Sequence, residues 1–191
     1  MVGGRINSGM LINTKHQYGL ITKVLHWFIL ILILLIIPLG LYMTRMSESP
    51  EQLLLINLHK SLGISILFLI CIRFGWRLTN VEPMFLGTSK SLKFTSRLLH
   101  YLLYGLLLLI PLSGWTYSSA LWYPVSFFGL FSLPDIVAKN KSIADVALLI
   151  HKSLVYTLIA LIVLHFSASL YHHFSLKDKT LKRMWFGKLD D

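Results

Sequence analysis

Two histidines, His151 and His165, lie fourteen residues apart inside one almost wholly apolar stretch, 146–174. On a helix that offset is about 1400°, within roughly 40° of whole turns, so both imidazoles share one face some 21 Å apart along the axis. A hydrocarbon core is about 30 Å thick, so one ring falls near each side of a membrane. An imidazole facing lipid alone is costly, so two on a common face point either to interhelical hydrogen bonds or to cofactor ligation. Neutral imidazole nitrogen is a ligand for haem iron, and a second histidine opposite each of these two completes an axial pair.

The elements that must position such pairs are visible in the composition. The chain has 191 residues, is 55% hydrophobic and only 14% charged, and has a mean hydropathy of +0.67. That is the balance of a polytopic membrane protein, not of a soluble domain. Four stretches are long and apolar enough to span, at 24–43, 53–76, 98–117 and 146–174. We therefore expect an all-α fold: one membrane domain over residues 1–191, built as a four-transmembrane-helix bundle with both termini on the same side. Period-two alternation with turn signals is missing, which argues against a barrel. The first span is about 20 residues with no small-x-small site after it, so it reads as a retained helix and not as a cleaved leader.

Basic residues orient the bundle. Arg5, Lys15 and Lys23 precede the first span, five Lys/Arg lie between the second and third, and five, ending at Lys188, follow the fourth; the other side carries the remaining five of eighteen. The positive-inside rule then makes both termini cytoplasmic. The formal charge of +10 is accounted for by topology, and nucleic acid is not called for as a partner. The connection 80–96 reads as a polar basic linker, and 121–145, rich in aromatics with Pro124 and Pro134, as an interfacial loop over the outer face. The lone Cys71 has no disulfide partner and reads as a packing residue.

Topology sorts the histidines by depth. His26 opens the first span from inside, and His59 opens the second from outside. Two pairs result: His59 with His151 on the outer side, and His26 with His165 on the inner side. Zinc or copper would need three or four ligands in one place, which this arrangement does not provide. No C-x-x-C-H run is present, so a haem held here would be b-type and non-covalent. An internal echo supports the outer pair, since LHKSLGI at 58–64 reappears as IHKSLVY at 150–156. Lys60 and Lys152 follow the two outer histidines and could pair with haem propionates, attract an anion, or simply snorkel. Arg73, fourteen residues after His59, falls level with the inner pair, and Arg77 one turn beyond; both suit propionates or interface anchoring. Gly63 could admit a flat ring or serve helix packing. His100 competes for the inner site, His172 is surface or substrate-proximal, His173 points elsewhere, and His16 is solvated.

These features resemble the prokaryotic cytochrome b561 family. The resemblance spans 18–186 and rests on LHW at His26, LHKSLGISIL followed by RFGWRL, HYLLYGLLLLIPLSGW, the His151–His165 spacing, and LYHHFSLKDKTLKRM. It implies a four-helix bacterial inner-membrane protein with two b haems, whose axial ligands match His26, His59, His151 and His165. His100 matches a family histidine that is not a ligand. Some family members oxidise superoxide at the periplasmic face and pass the electron to ubiquinone. The leading expectation is thus a di-haem oxidoreductase linking a periplasmic one-electron donor, superoxide first among them, to ubiquinone in the lipid bilayer. A cytochrome b subunit relaying electrons for a separate dehydrogenase or hydrogenase is the alternative, with a protein partner. A small transporter is the non-redox reading, and it would be colourless.

Overall fold

A computed structural model of the chain describes residues 11–86 and 89–186. The basic residues Arg5 and Lys188, used above to orient the bundle, lie outside the described residues. Four helices carry the fold: α1 (Leu20–Met43), α2 (Pro50–Thr79), α3 (Lys90–Ala120) and α4 (Lys141–Phe174). Each is long and apolar enough to cross a membrane, which makes the molecule a four-helix membrane bundle. A short hairpin, β1 (Val125–Phe127) with β2 (Phe131–Leu133), lies between α3 and α4, and a one-turn helix α5 (Thr180–Met184) follows α4.

Local chemistry sets the boundaries. Ser49 caps α2 by accepting a hydrogen bond from the Gln52 amide at 3.2 Å, with Pro50 as the first helical residue; Asn140 caps α4 through the Ile143 amide at 3.2 Å. These caps lie outside the apolar runs, so every helix is longer than its apolar run. Two corrections follow. The stretch 80–96 is a linker only in its first part, because α3 already begins at Lys90. The loop 121–145 is more ordered than expected, with the hairpin in its middle and α4 starting at Lys141. Phe128 and Gly129 take φ of 49° and 75° to turn the hairpin.

Packing runs α1 on α2, α2 on α3 and α3 on α4, whereas α1 and α4 meet through side chains without comparable backbone approach. The densest core lies between the first two helices, where Ile29, Leu32, Ile33, Ile66 and Ile70 are buried, with Tyr104, Leu107 and Ile162 closing over them. The bundle exterior is apolar: Leu34, Phe68, Leu149 and Phe166 are all well exposed, as a lipid-facing surface requires. Cys71 is also on this exposed face and not in the packed interior. The hairpin covers one end of the bundle; the start of α1, the α2–α3 connection and α5 share the other, called below the terminal end.

Candidate functional site

At the hairpin end, the His59 and His151 rings face each other with centroids 6.3 Å apart and planes at 70°. His151 is fixed by α3. Its Nδ1 is 2.9 Å from the Ile110 carbonyl and 3.2 Å from Ser113 Oγ, whose own hydroxyl donates to the same carbonyl at 2.7 Å. With the Nδ1–H donated to Ile110, the lone pair is on Nε2, the tautomer a metal ligand needs. Glycine admits both rings. A methyl group at Gly40 would come within 2.9 Å of His59 Cε1, and one at Gly114 within 3.1 Å of His151 Cε1. Thus each HKSL histidine packs on a proline-glycine segment of a neighbouring helix, IPLG at 37–40 and IPLSG at 110–114. His59 Nδ1 is buried without a hydrogen-bond partner.

The hairpin is clamped over this end by Ser61, which is 2% exposed. Its Oγ accepts from the Phe128 amide at 3.0 Å and donates toward the Ser126 and Asn57 carbonyls at 3.0 and 2.9 Å. Lys60 Nζ donates to the Pro124 carbonyl at 3.1 Å and lies 5.7 Å from the Tyr123 ring centre, so its ammonium is engaged by the hairpin. Lys152, at the equivalent position of the second HKSL, is exposed.

At the terminal end three imidazoles gather. His26 and His165 have centroids 6.4 Å apart at 70°, nearly the geometry of the first pair, while His100 lies 5.2 Å from His165 at 82°. A metal bonded to two imidazole nitrogens at about 2 Å each holds the ring centroids roughly 6–6.5 Å apart. Both depth-matched pairs satisfy that spacing and His100–His165 does not. His100 is also committed locally, its Nδ1 2.6 Å from the Ser96 carbonyl. Among the described residues, no three His, Cys, Asp or Glu side chains converge as a zinc or copper centre would need.

Arg73 reaches the same region. Its Nε–H donates to the Tyr104 hydroxyl at 3.0 Å, and its Nη1 is buried with no partner. Arg77 is paired with Glu82 and lies 5.9 and 5.7 Å from the Tyr101 and Tyr104 ring centres. His172 Nδ1 is 2.5 Å from Asp178 Oδ2. Burial alone pushes the Asp178 carboxyl up, but hydrogen bonds from Thr180 and His172 outweigh it and hold the group below the usual carboxylate range. His173 stacks edge-on with Phe174, and His16 is exposed. Sequence reasoning missed Gly40, Gly114, Ile110, Ser61 and Tyr104. The repeated proline-glycine segments carried a signal for the two glycines; nothing local marked the others.

The profile of the family described as prokaryotic cytochrome b561 matches residues 17–187, nearly the whole chain. The chain belongs to the prokaryotic cytochrome b561 family. It is 36% identical over 180 residues to cytochrome b561 homolog 2 of Escherichia coli (strain K12), covering 90% of this chain and 93% of that one. It is also similar to cytochrome b561 homolog 1 of the same organism, at 30% over 140 residues covering 71% and 77% of the two chains. A protein described as a probable superoxide oxidase, CybB, from Yersinia pestis is 27% identical over 169 residues, 88% and 95% of the respective chains. Membership makes this a bacterial membrane protein of electron transfer, with haem b as the family's cofactor. The paired imidazoles, the glycines that admit them and the unpartnered buried nitrogen of Arg73 fit that group.

Proposed function

We propose that this cytochrome b561 family protein holds two b haems, one between His59 and His151 and one between His26 and His165, and carries electrons from a one-electron donor at the hairpin end to ubiquinone. The observation that carries this reading is the near-identical ring separation of the two pairs, 6.3 and 6.4 Å. The basic-residue asymmetry supports a terminal end in the cytoplasm and a hairpin end in the periplasm of the inner membrane, with the chain read as one membrane domain. Haem b supplies a one-electron Fe(III)/Fe(II) couple at each position.

The chain's own residues do the rest. Ile110 and Ser113 fix the His151 tautomer, and Gly40 and Gly114 leave room for both rings. Arg73 offers a guanidinium with a buried, unpartnered Nη1 to haem carboxylates, while Arg77 is engaged with Glu82 beside it. Superoxide is the donor that fits best: it is an anion carrying one transferable electron, and Lys60, Lys152, Lys139, Lys141 and Arg45 bias the hairpin end positive, a field that Glu48, Glu51, Asp135 and Asp145 offset in part. Similarity to the probable superoxide oxidase points the same way. Two superoxide ions release two dioxygen molecules and two electrons, and ubiquinone takes those electrons with two cytoplasmic protons to become ubiquinol. His172, with its Nδ1–H donated to Asp178, presents the Nε2 lone pair as a proton acceptor at the terminal end.

A pyridine haemochrome assay should find two b haems per chain, all released by denaturing extraction. Pulse-radiolytic superoxide should reduce them; haems that stay oxidised would remove superoxide as the donor. A second reading draws on the hairpin tip, where Leu130 is 78% exposed: a separate dehydrogenase or hydrogenase subunit docks there and delivers the electrons. A stoichiometric partner on purification from the native membrane favours it.

A further inference from the structure

After α4 ends at Phe174 the chain turns back on the bundle. Lys177 takes φ of 52°, the Asp178 carboxylate receives the Thr180 amide at 2.8 Å, and α5 is laid against the start of α1. There the Trp27 indole donates to the Met184 carbonyl at 2.9 Å and meets Trp185 edge-on at 5.4 Å. The Trp27 ring meets the His26 ring edge-on at 5.6 Å, so the strap reaches the terminal-end histidines through that indole. Arg183, on the strap, bonds the α2–α3 connection. Its Nη1 donates to the Met84 carbonyl at 2.6 Å, and the Met84 amide is bound to the Lys15 carbonyl at 2.9 Å.

That leaves the Arg183 Nε–H buried with no acceptor, as is Nη1 of Arg73. A guanidinium is always charged, and a buried donor of that kind without a partner costs more than the same group in water. The nearby carboxylates are engaged elsewhere: Glu82 with Arg77 and, at 3.9 Å, with Arg97; Asp178 with His172 and Thr180. Tyr18 joins the group. Its hydroxyl is within electrostatic reach of both Arg73 and Arg183, and burial pushes its pKa up, so it stays a neutral hydrogen-bond donor. Two half-buried cations, each with one buried unpartnered nitrogen, and a phenol, none with a carboxylate of its own, form a receptor for carboxylates.

We propose that Arg183, carried outside the bundle on α5, is a carboxylate-binding residue of the terminal-end site, acting with Arg73 and Tyr18 on the propionates of the haem held there. This rests on the paired-histidine reading above. It makes the strap a part of the cofactor site: haem loading would supply the missing acceptors to the docked strap, and Arg183 raises the potential of that haem alone, since a nearby cation favours the reduced iron.

The test uses the full chain with Arg183→Gln, Arg183→Lys and Trp185→Ala, each also made in a His151→Ala background that isolates the terminal-end haem. Redox titration and haem transfer to excess apomyoglobin are the readouts. Arg183→Gln should shift the terminal-end midpoint to a more negative value and speed loss of that haem several-fold. The hairpin-end haem should stay unchanged, and Arg183→Lys should recover most of the midpoint. Unchanged midpoint and transfer rate in Arg183→Gln overturn the proposal, as would be seen were these donors for a lipid phosphate. So does Trp185→Ala reproducing the whole effect with no recovery in Arg183→Lys, which would make the strap merely structural. A wild-type chain with no terminal-end haem overturns the histidine pairing itself, and the haem count made first distinguishes that failure.

Discussion

The two ends of the bundle hold nearly superimposable ring pairs in opposite surroundings. At the hairpin end the imidazoles are held by backbone: an Ile110 carbonyl, two glycines, and a hairpin pinned by one serine. At the terminal end they are surrounded by ionisable groups, namely His100, Arg73, Arg77 with Glu82, and the strap bearing Arg183. A ring held by backbone has little freedom, and the contacts described for these two rings are with uncharged groups. Charged side chains, by contrast, tune a potential and handle protons, which a quinone acceptor requires. Under the proposed function, that difference would suit the hairpin end to receiving an electron and the terminal end to delivering it together with protons.

The most damaging way to break this comparison is to remove a ring. His59→Ala or His151→Ala should abolish one b haem and spare the other, and His26→Ala or His165→Ala should do the converse, read by pyridine haemochrome and low-temperature spectra. His100→Ala should keep both. If it loses the terminal-end haem while His26→Ala keeps it, the pairing at that end is wrong.

Next in size is overfilling. Gly40→Ala puts a methyl 2.9 Å from the His59 ring, so the imidazole must move, and occupancy of the hairpin-end haem alone should fall. Overpacking of this kind costs about 1–3 kcal/mol, set against a helix-propensity gain of about 1 kcal/mol. Gly114→Ala, at 3.1 Å, should do the same more weakly. Gly105, with nothing within 4 Å, is the control, and Gly105→Ala should leave both haems in place and raise thermal stability slightly.

A smaller effect is expected at the hairpin clamp. Ser61→Ala leaves the Phe128 amide without its acceptor, a loss of about 1–2 kcal/mol that should appear as faster hydrogen exchange at Phe128 with both haems retained. Unchanged exchange there would show that the hairpin is held by its aromatic side chains instead.

The smallest concerns pH at the strap. The Asp178 carboxyl titrates below its ordinary value of 3.8, so its contribution to docking α5 is present above that value and lost as the pH falls through the lower, folded one. Limited proteolysis at Lys179 and Lys182 should therefore accelerate only in strong acid in the wild type. Asp178→Asn should show the accelerated rate at neutral pH as well; equal rates for the two at pH 7 would mean the strap is held by Trp27 and Arg183 alone.

Much of this architecture is local and was readable from residue types alone. Helix periodicity is an intrinsic property of the backbone, so a fourteen-residue offset places His151 and His165 on one face whatever surrounds them, and apolar runs of spanning length define the four helices. Depth matching then pairs His59 with His151 and His26 with His165, and the structure brings both pairs within 6.4 Å. What remained hidden depends on how one helix is rotated against another. His100 lies at a similar depth and competes for the inner site on sequence; only packing leaves it at 5.2 Å from His165 and ties it to Ser96. The same holds for Ser61 meeting Phe128, for Ile110 meeting His151, and for Arg183 entering the terminal end from beyond the last span. Contacts between residues tens of positions apart are decided by helix phase and side-chain volume across an interface, and no periodicity within a single segment encodes them.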